Sequence, residues 1–335
     1  MSSKGLTEVE GIKVGHLTLS ECPTGCTVIL VDGDGAPGGV SQRGAAPGTR
    51  ETDLLDPLNL VDKVNAIVLS GGSAFGLDAS QGVVRYLEER KIGWNVGAAG
   101  VVPIVPSAIL FDLGFGGDSR IRPTADCGYK AAGLASDGAV AEGNVGAGAG
   151  ATLGKVAGRD RSMKGGLGTA AIRLPNGLTV AALVAVNAVG DVVDPSTGQV
   201  VAGVRTADGK SLADARRLLR DGSLMKAAAP RAAENTTIAV VATNARLTKT
   251  EVNRVALMAD DGLARAISPS HTIGDGDTVF ALATGRWAGQ ADASIIGALA
   301  ADVLAEAIVR AAALTQGLGG LPAARDLGTV PSRLK

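Results

Sequence analysis

Two apolar runs, GTAAIRL and LTVAALVAVN, flank Pro175-Asn176-Gly177. Strand, turn residues, strand: the pattern signals a β-hairpin. It repeats at once, because GDVVDPSTGQVVAG sets two short apolar runs around Asp-Pro-Ser-Thr-Gly. Long helical segments stand before and after these hairpins, and strict βαβ repeats do not. The chain therefore reads as a layered α+β fold with antiparallel sheets, within one domain over residues 1–335.

Buried strands are expected at Cys26–Val31, Val64–Ser70 and Asp277–Gly285, and AILFDLG reads as a further strand or buried turn. Helical spacing covers Ala79–Glu89, with Val83, Val84, Tyr86 and Leu87 around one side. Residues 123–141 and Ser211–Arg220 each predict a short helix. Thr248 and Glu251 predict a capping box, and Val252, Val255, Ala256, Ala259, Leu263 and Ile267 fall on one face beyond it. Ala291–Thr315 predicts a long helix ending at QGLGG, with residues 317–335 a loose tail. GDGAPGGVSQRGAAPGTRETD, residues 33–53, reads as a long Gly/Pro loop. AAAPRAAEN, residues 227–235, reads as an exposed, cleavable connection. Aromatics are 2% of the chain against 48 glycines. The core must then be Val, Ile, Leu and Ala, with backbones close together at the glycines.

The same composition excludes several classes. Net charge is −1, and two Trp and two Tyr offer little for stacking on bases, so no nucleic-acid partner is expected. MSSKGLTEVEG has no apolar signal-type run, and LTVAALVAVNAVGDVV is broken by Asn187 and Asp191, so neither export nor a membrane span is expected and the location reads as cytoplasmic. Cys22, Cys26 and Cys127 are an odd, sparse set; they read as buried thiols, neither a disulfide framework nor a metal site. The two histidines, His16 and His271, make no metal cluster. GAGAGATLGKV fails as a phosphate loop, because Ala149 stands where the first Gly belongs and Val156 follows Lys155. SGGSAFG lacks the GxGxxG spacing. Both read as places where backbone passes close to backbone or substrate. His271, in SPSHTIGDGDTVF, reads as a structural loop residue, so a hydrolase built on this chain needs another base.

One stretch supplies it. ENTTIAVVATN runs from Glu234 to Asn244 and opens a β-branched strand with two threonines behind an Asn. An internal Thr236 is a strand-opening residue. At a new N-terminus it would carry an α-amine with pKa about 7.7–8.0, able to take the proton from its own hydroxyl. That chemistry requires a cut between Asn235 and Thr236.

Nearly the whole chain resembles the DmpA-type aminopeptidase superfamily, which includes β-peptidyl aminopeptidases and nylon-oligomer hydrolases. Ornithine acetyltransferases share its fold more remotely. SGGSAFGLDAS, AEGNVGAGAG, KGGLGTA, VNAVGDVVDP, NTTIAVVATN and HTIGDGDTVFALATG carry the resemblance together. It implies a four-layer αββα sandwich. It also implies a precursor that cuts itself into 1–235 and 236–335, and a ring-like homo-oligomer, tetramer or larger, of the cut units. By position it makes Thr236 the nucleophile and Asn187 an oxyanion donor. Asp275 and Asp277 become the acidic pair that holds the Thr amine and hydroxyl, and Lys155 a site lysine of the nylon-hydrolase branch. Glu142 matches an acid that pairs with a substrate's free amine in the aminopeptidase branch. Lys155 and the Asn-Thr junction point to the other branch, so endo and exo cleavage both stand. The implied activity is hydrolysis of amide bonds in short peptides or β-/ω-amino-acid oligomers, without metal or organic cofactor. Two rivals are an acyltransferase using the same Thr236, and an uncut, ring-forming binding protein.

Overall fold

The computed structural model describes residues 4–226 and 235–335. All but Asn235 of the expected cleavable connection lies outside them. The longer strands are β1 (Ile12–Thr18), β2 (Gly25–Val31), β3 (Ala36–Gln42), β4 (Ala66–Ser70), β5 (Ser107–Ile109), β6 (Gly166–Arg173), β7 (Thr179–Asn187), β8 (Thr236–Thr243) and β9 (Thr278–Ala283). The helices are α1 (Ala79–Glu88), α2 (Ala125–Gly133), α3 (Ala215–Arg220), α4 (Lys249–Ala266) and α5 (Ala293–Leu314).

Two sheets lie face to face. One has the order β1-β2-β4-β5 and ends on the short strand Thr49–Arg50; the other runs β6-β7-β8-β9-β3 and ends on Lys63–Val64. Strand β7 shows why its run is apolar throughout. Ala181, Leu183 and Ala185 turn inward to Ile29, Ile67, Leu69 and Phe280 between the sheets. Val180, Ala182, Val184 and Val186 turn outward to α4 and α5. A strand covered on both faces loses the polar alternation of a half-exposed one. On the far side, Val28, Ala66 and Val68 meet Val83, Leu87 and Ala131 of α1 and α2. The result is the four-layer αββα sandwich.

Glycine lets α5 come close. A Cβ on Gly168 of β6 would sit 2.2 Å from the Ala307 carbonyl oxygen, and one on Gly262 of α4 would sit 2.2 Å from that of Ala301. Ala300, Ala305, Ala307, Ala311 and Ala312 fill the same seam. Small side chains thus replace the missing aromatics with near contact between backbones. The capping box at Thr248 and Glu251 forms as the sequence predicts.

Three expectations are corrected. The Gly/Pro stretch is not loop throughout: Ala36–Gln42 is a strand paired antiparallel with β9. Its glycines are there for fit, since a Cβ on Gly39 would lie 2.7 Å from the Asn253 backbone of α4. Residues 317–335 do not trail loosely. Ala323 and Ala324 are fully buried; Thr329 Oγ1 donates to the Val201 carbonyl at 2.6 Å; and Arg333 pairs with Asp194 and Glu306. Finally, Cys26 and Cys127 are not separate thiols. They are joined as a disulfide, because the outward face of β2 lies beneath α2, and only Cys22 is a free, buried thiol. Among the described residues no helix is long and apolar enough to cross a membrane.

Candidate active site

Strand register gathers the site. β7 and β8 are antiparallel, and their last pair is Asn187 with Thr236. β8 and β9 are parallel, with α4 as the crossover, so both begin at the same end of the sheet; Ile238 faces Thr278. The end of β7, the start of β8 and the Asp275-Gly276-Asp277 loop before β9 therefore meet at one place.

At that place Thr236 is 3% exposed. Its Oγ1 donates to the carbonyl oxygen of Asn235, the preceding residue, at 2.5 Å. The Gly276 N–H donates to the same oxygen at 2.9 Å. Gly276 is hemmed in: a Cβ there would stand 2.5 Å from the Ala46 carbonyl oxygen and 2.9 Å from Thr236 Oγ1. Only glycine lets the loop come this near the hydroxyl.

Asn187 is fully buried. Its Oδ1 accepts from the Thr152 N–H at 3.0 Å and from Lys155 Nζ at 2.9 Å, and its Nδ2 donates to the Phe111 carbonyl at 3.0 Å. Lys155 Nζ also donates to the Asn187 carbonyl at 3.2 Å. Lys155 thus brings a positive charge, 5% exposed, to the strand end opposite Thr236.

The two aspartates divide their tasks. Asp277 Oδ1 accepts the Thr237 N–H at 2.8 Å, and its Oδ2 accepts from the backbone N–H and Nδ1 of His271 at 3.1 and 3.0 Å. Asp275 Oδ2 accepts from the N–H and hydroxyl of Thr272 at 2.8 and 2.7 Å. Burial pushes the Asp275 carboxyl up, and the neighbouring Asp277 charge adds to it; Thr272 and Lys155 pull the other way. Asp260, fully buried on α4, is likewise raised by burial. Burial pulls His271 down, but Asp277 and Asp260 outweigh it and hold the imidazole above its ordinary value.

Residues 4–323 match Peptidase family S58. The chain belongs to this family. An uncharacterized aminopeptidase of Mycobacterium leprae is 44% identical to it, over 95% of this chain and 92% of the relative. A 6-aminohexanoate-oligomer endohydrolase of Kocuria sp. is 32% identical, over 90% and 84%. In fold, the L-aminopeptidase D-Ala-esterase/amidase of Ochrobactrum anthropi, described as a variant of the Ntn hydrolase fold, superposes with a TM-score of 0.70 at 20% identity, over 98% and 95% of the two chains. This S58 peptidase is thus an amide-bond hydrolase.

Thr236, Asn187, Lys155, Asp275 and Asp277 come together in this S58 peptidase; Glu142 stands apart. Glu142 accepts the Thr169 N–H at 2.9 Å and pairs with both Arg310 Nε and Nη2, at 3.0 and 2.5 Å. Thr169 faces Leu183, four residues along β7 from Asn187 and one strand further out. The carboxylate expected to anchor a substrate amine is already neutralised by a helix arginine. Sequence reasoning missed the Gly276 N–H, Thr152 and the Phe111 carbonyl, and it set His271 aside. None has a local signal, since each matters through a partner brought from elsewhere. Phe111 and Thr152 also line a cleft of about 240 Å³ with Asp112, Phe115, Arg159 and Ser162, which borders Asn187 through two of its partners. A larger cleft of about 550 Å³, lined by Asp194 and Val330–Arg333, touches none of these groups.

Proposed function

We propose that the chain is a self-processing amide hydrolase whose nucleophile is Thr236, freed by cutting its own Asn235–Thr236 bond. One observation carries the reading: the Thr236 hydroxyl and the Gly276 N–H converge on the Asn235 carbonyl oxygen, at 2.5 and 2.9 Å. Oγ1 attacks the Asn235 carbonyl carbon, forming a C–O bond, and the oxygen takes up negative charge. The Gly276 N–H is in place to stabilise that charge, a contribution of about 10²–10³ in rate for one such donor. Collapse breaks the C–N bond, the proton goes to the released Thr236 amine, and water hydrolyses the ester.

Thereafter the free amine serves as base for each turnover. Asp275 and Asp277 beside it hold a Thr ammonium by charge. Thr236 Oγ1 attacks the substrate amide, the amine product leaves, and water releases the acid. Asn187 and Lys155, across the strand pair, supply donors and positive charge where that oxyanion develops. The names of the relatives support short peptides and 6-aminohexanoate oligomers as the kind of substrate; a homo-oligomer of cut units remains part of the proposal, implied by the resemblance alone. Intact-mass measurement with N-terminal sequencing tests the reading. We expect fragments of about 23 and 10 kDa, scaled by length from 33.3 kDa, with the smaller beginning Thr-Thr-Ile. An active preparation containing only uncut chain overturns it.

A further inference from the structure

We propose that His271 is a positioning residue for Thr236, fixing Asp277 on the backbone next to the nucleophile by bridging it to Asp260. The inference rests on the reading of Thr236 as nucleophile. The Thr237 N–H, one residue past the nucleophile, donates to Asp277 Oδ1 at 2.8 Å. Whatever turns the Asp277 carboxylate therefore turns the start of β8. His271 holds the other oxygen with two donors, its N–H at 3.1 Å and Nδ1 at 3.0 Å.

The far side of the ring faces a second acid. His271 Nε2 lies 3.5 Å from Asp260 Oδ1, and neither atom has a hydrogen-bond partner among the described residues. Asp260 is itself anchored: Oδ2 accepts from Ser41 Oγ of β3 at 2.7 Å, with Arg43 Nε 3.5 Å away. One imidazole thus links the loop before β9 to the crossover helix and to β3. His271 has φ +54°, in the left-handed region that residues other than glycine adopt uncommonly.

This arrangement needs a proton on the ring. As imidazolium, His271 presents a donor to each carboxylate. As neutral imidazole with Nδ1 protonated, it turns a lone pair on Nε2 toward Asp260. The facing charges are Asp277 from the loop and Asp260 from α4, both favouring the proton, and Arg43 beyond β3, opposing it. His271 is no general base here: its ring faces two carboxylates, and it acts through Asp277.

Self-cleavage of the full-length precursor isolates the effect, because the Thr236 amine does not yet exist to titrate. The precursor is made by cell-free translation and its cleavage followed on denaturing gels across a pH series. Wild type should slow as pH rises above the ordinary imidazole range. His271→Gln should cut about 10–100-fold more slowly at the optimum and lose that falling limb. Asp260→Asn removes one charge that favours the proton, so its limb should move to lower pH. If His271→Gln keeps the wild-type rate and limb, the proposal fails. If that variant does not fold, Asp260→Asn decides: an unmoved limb overturns the proposal and a shifted one supports it. Thr236→Ala separates the two claims. Cleavage in that variant defeats the assignment of the nucleophile, whereas an uncut Thr236→Ala beside an unchanged His271→Gln defeats only the role of His271.

Discussion

Glu142 and Asp277 begin alike. Each is a largely buried carboxylate accepting one backbone N–H from the same sheet, Thr169 of β6 at 2.9 Å and Thr237 of β8 at 2.8 Å. They differ in what neutralises them. Glu142 meets the fork of Arg310 with both oxygens, a two-point pairing of fixed geometry between one carboxylate and one guanidinium. Asp277 meets a histidine shared with Asp260, and Asp275 stands beside it, accepting the backbone N–H and hydroxyl of Thr272. A carboxylate with its own arginine holds elements together. Asp275 and Asp260 are raised by burial, with the Asp277 charge adding to each, and such crowding marks sites where charge does chemistry.

The largest effect should come from removing what the crowded cluster serves. Thr236→Ala should fold, remain uncut and lose turnover by about 10⁴-fold or more, while Thr236→Ser keeps part of both activities. Gels and a peptide-amide assay measure this, and processing by the Ala variant would shift suspicion to Thr237. Next, Gly276→Ala should slow self-cleavage by about 10²–10³, because its methyl would displace the N–H from the scissile carbonyl. Normal processing there would remove Gly276 from the mechanism.

Asp275→Asn sharpens the contrast. Its charge is disfavoured by burial, so the neutral amide should leave the melting temperature level or raise it, while kcat/KM falls about 10–100-fold. Equal losses of stability and activity would class Asp275 with Glu142. The smallest effect on catalysis belongs to Glu142→Gln. It should cost about 1–3 kcal/mol of stability, read from denaturant melts, through the weakened bonds to Arg310 and Thr169. The preference between a free-amine peptide and its N-acetylated twin should not move. A variant that loses that preference would return Glu142 to the substrate site.

The residues of the candidate site were named from the sequence, but only partly for reasons in the residues themselves. Taken alone, Thr236 reads as a strand-opening residue behind an Asn; the resemblance made it the nucleophile candidate. Asp275 and Asp277 read alone as a turn before a strand, and the resemblance made them the acidic pair. The same resemblance also placed Glu142 among them, whereas the fold pairs it with Arg310: a motif fixes where an acid stands in the chain, not which cation reaches it. Arg310 is 168 residues away on α5.

By itself the sequence determined what depends on neighbours a few residues apart. Hairpin turns, the capping box at Thr248 and the apolar faces of α4 and α5 follow from local geometry and period. Tertiary structure decided what requires two distant segments to meet. It made a strand of Ala36–Gln42, whose glycines have meaning only against α4, and it joined Cys26 to Cys127 under the α2 layer. It folded the C-terminal residues onto Asp194 and Glu306. It also set the Gly276 N–H and the His271 ring where β8 and β9 begin together. The energy of a charge, a donor or a missing side chain lies in its partner, and the chain order does not name that partner.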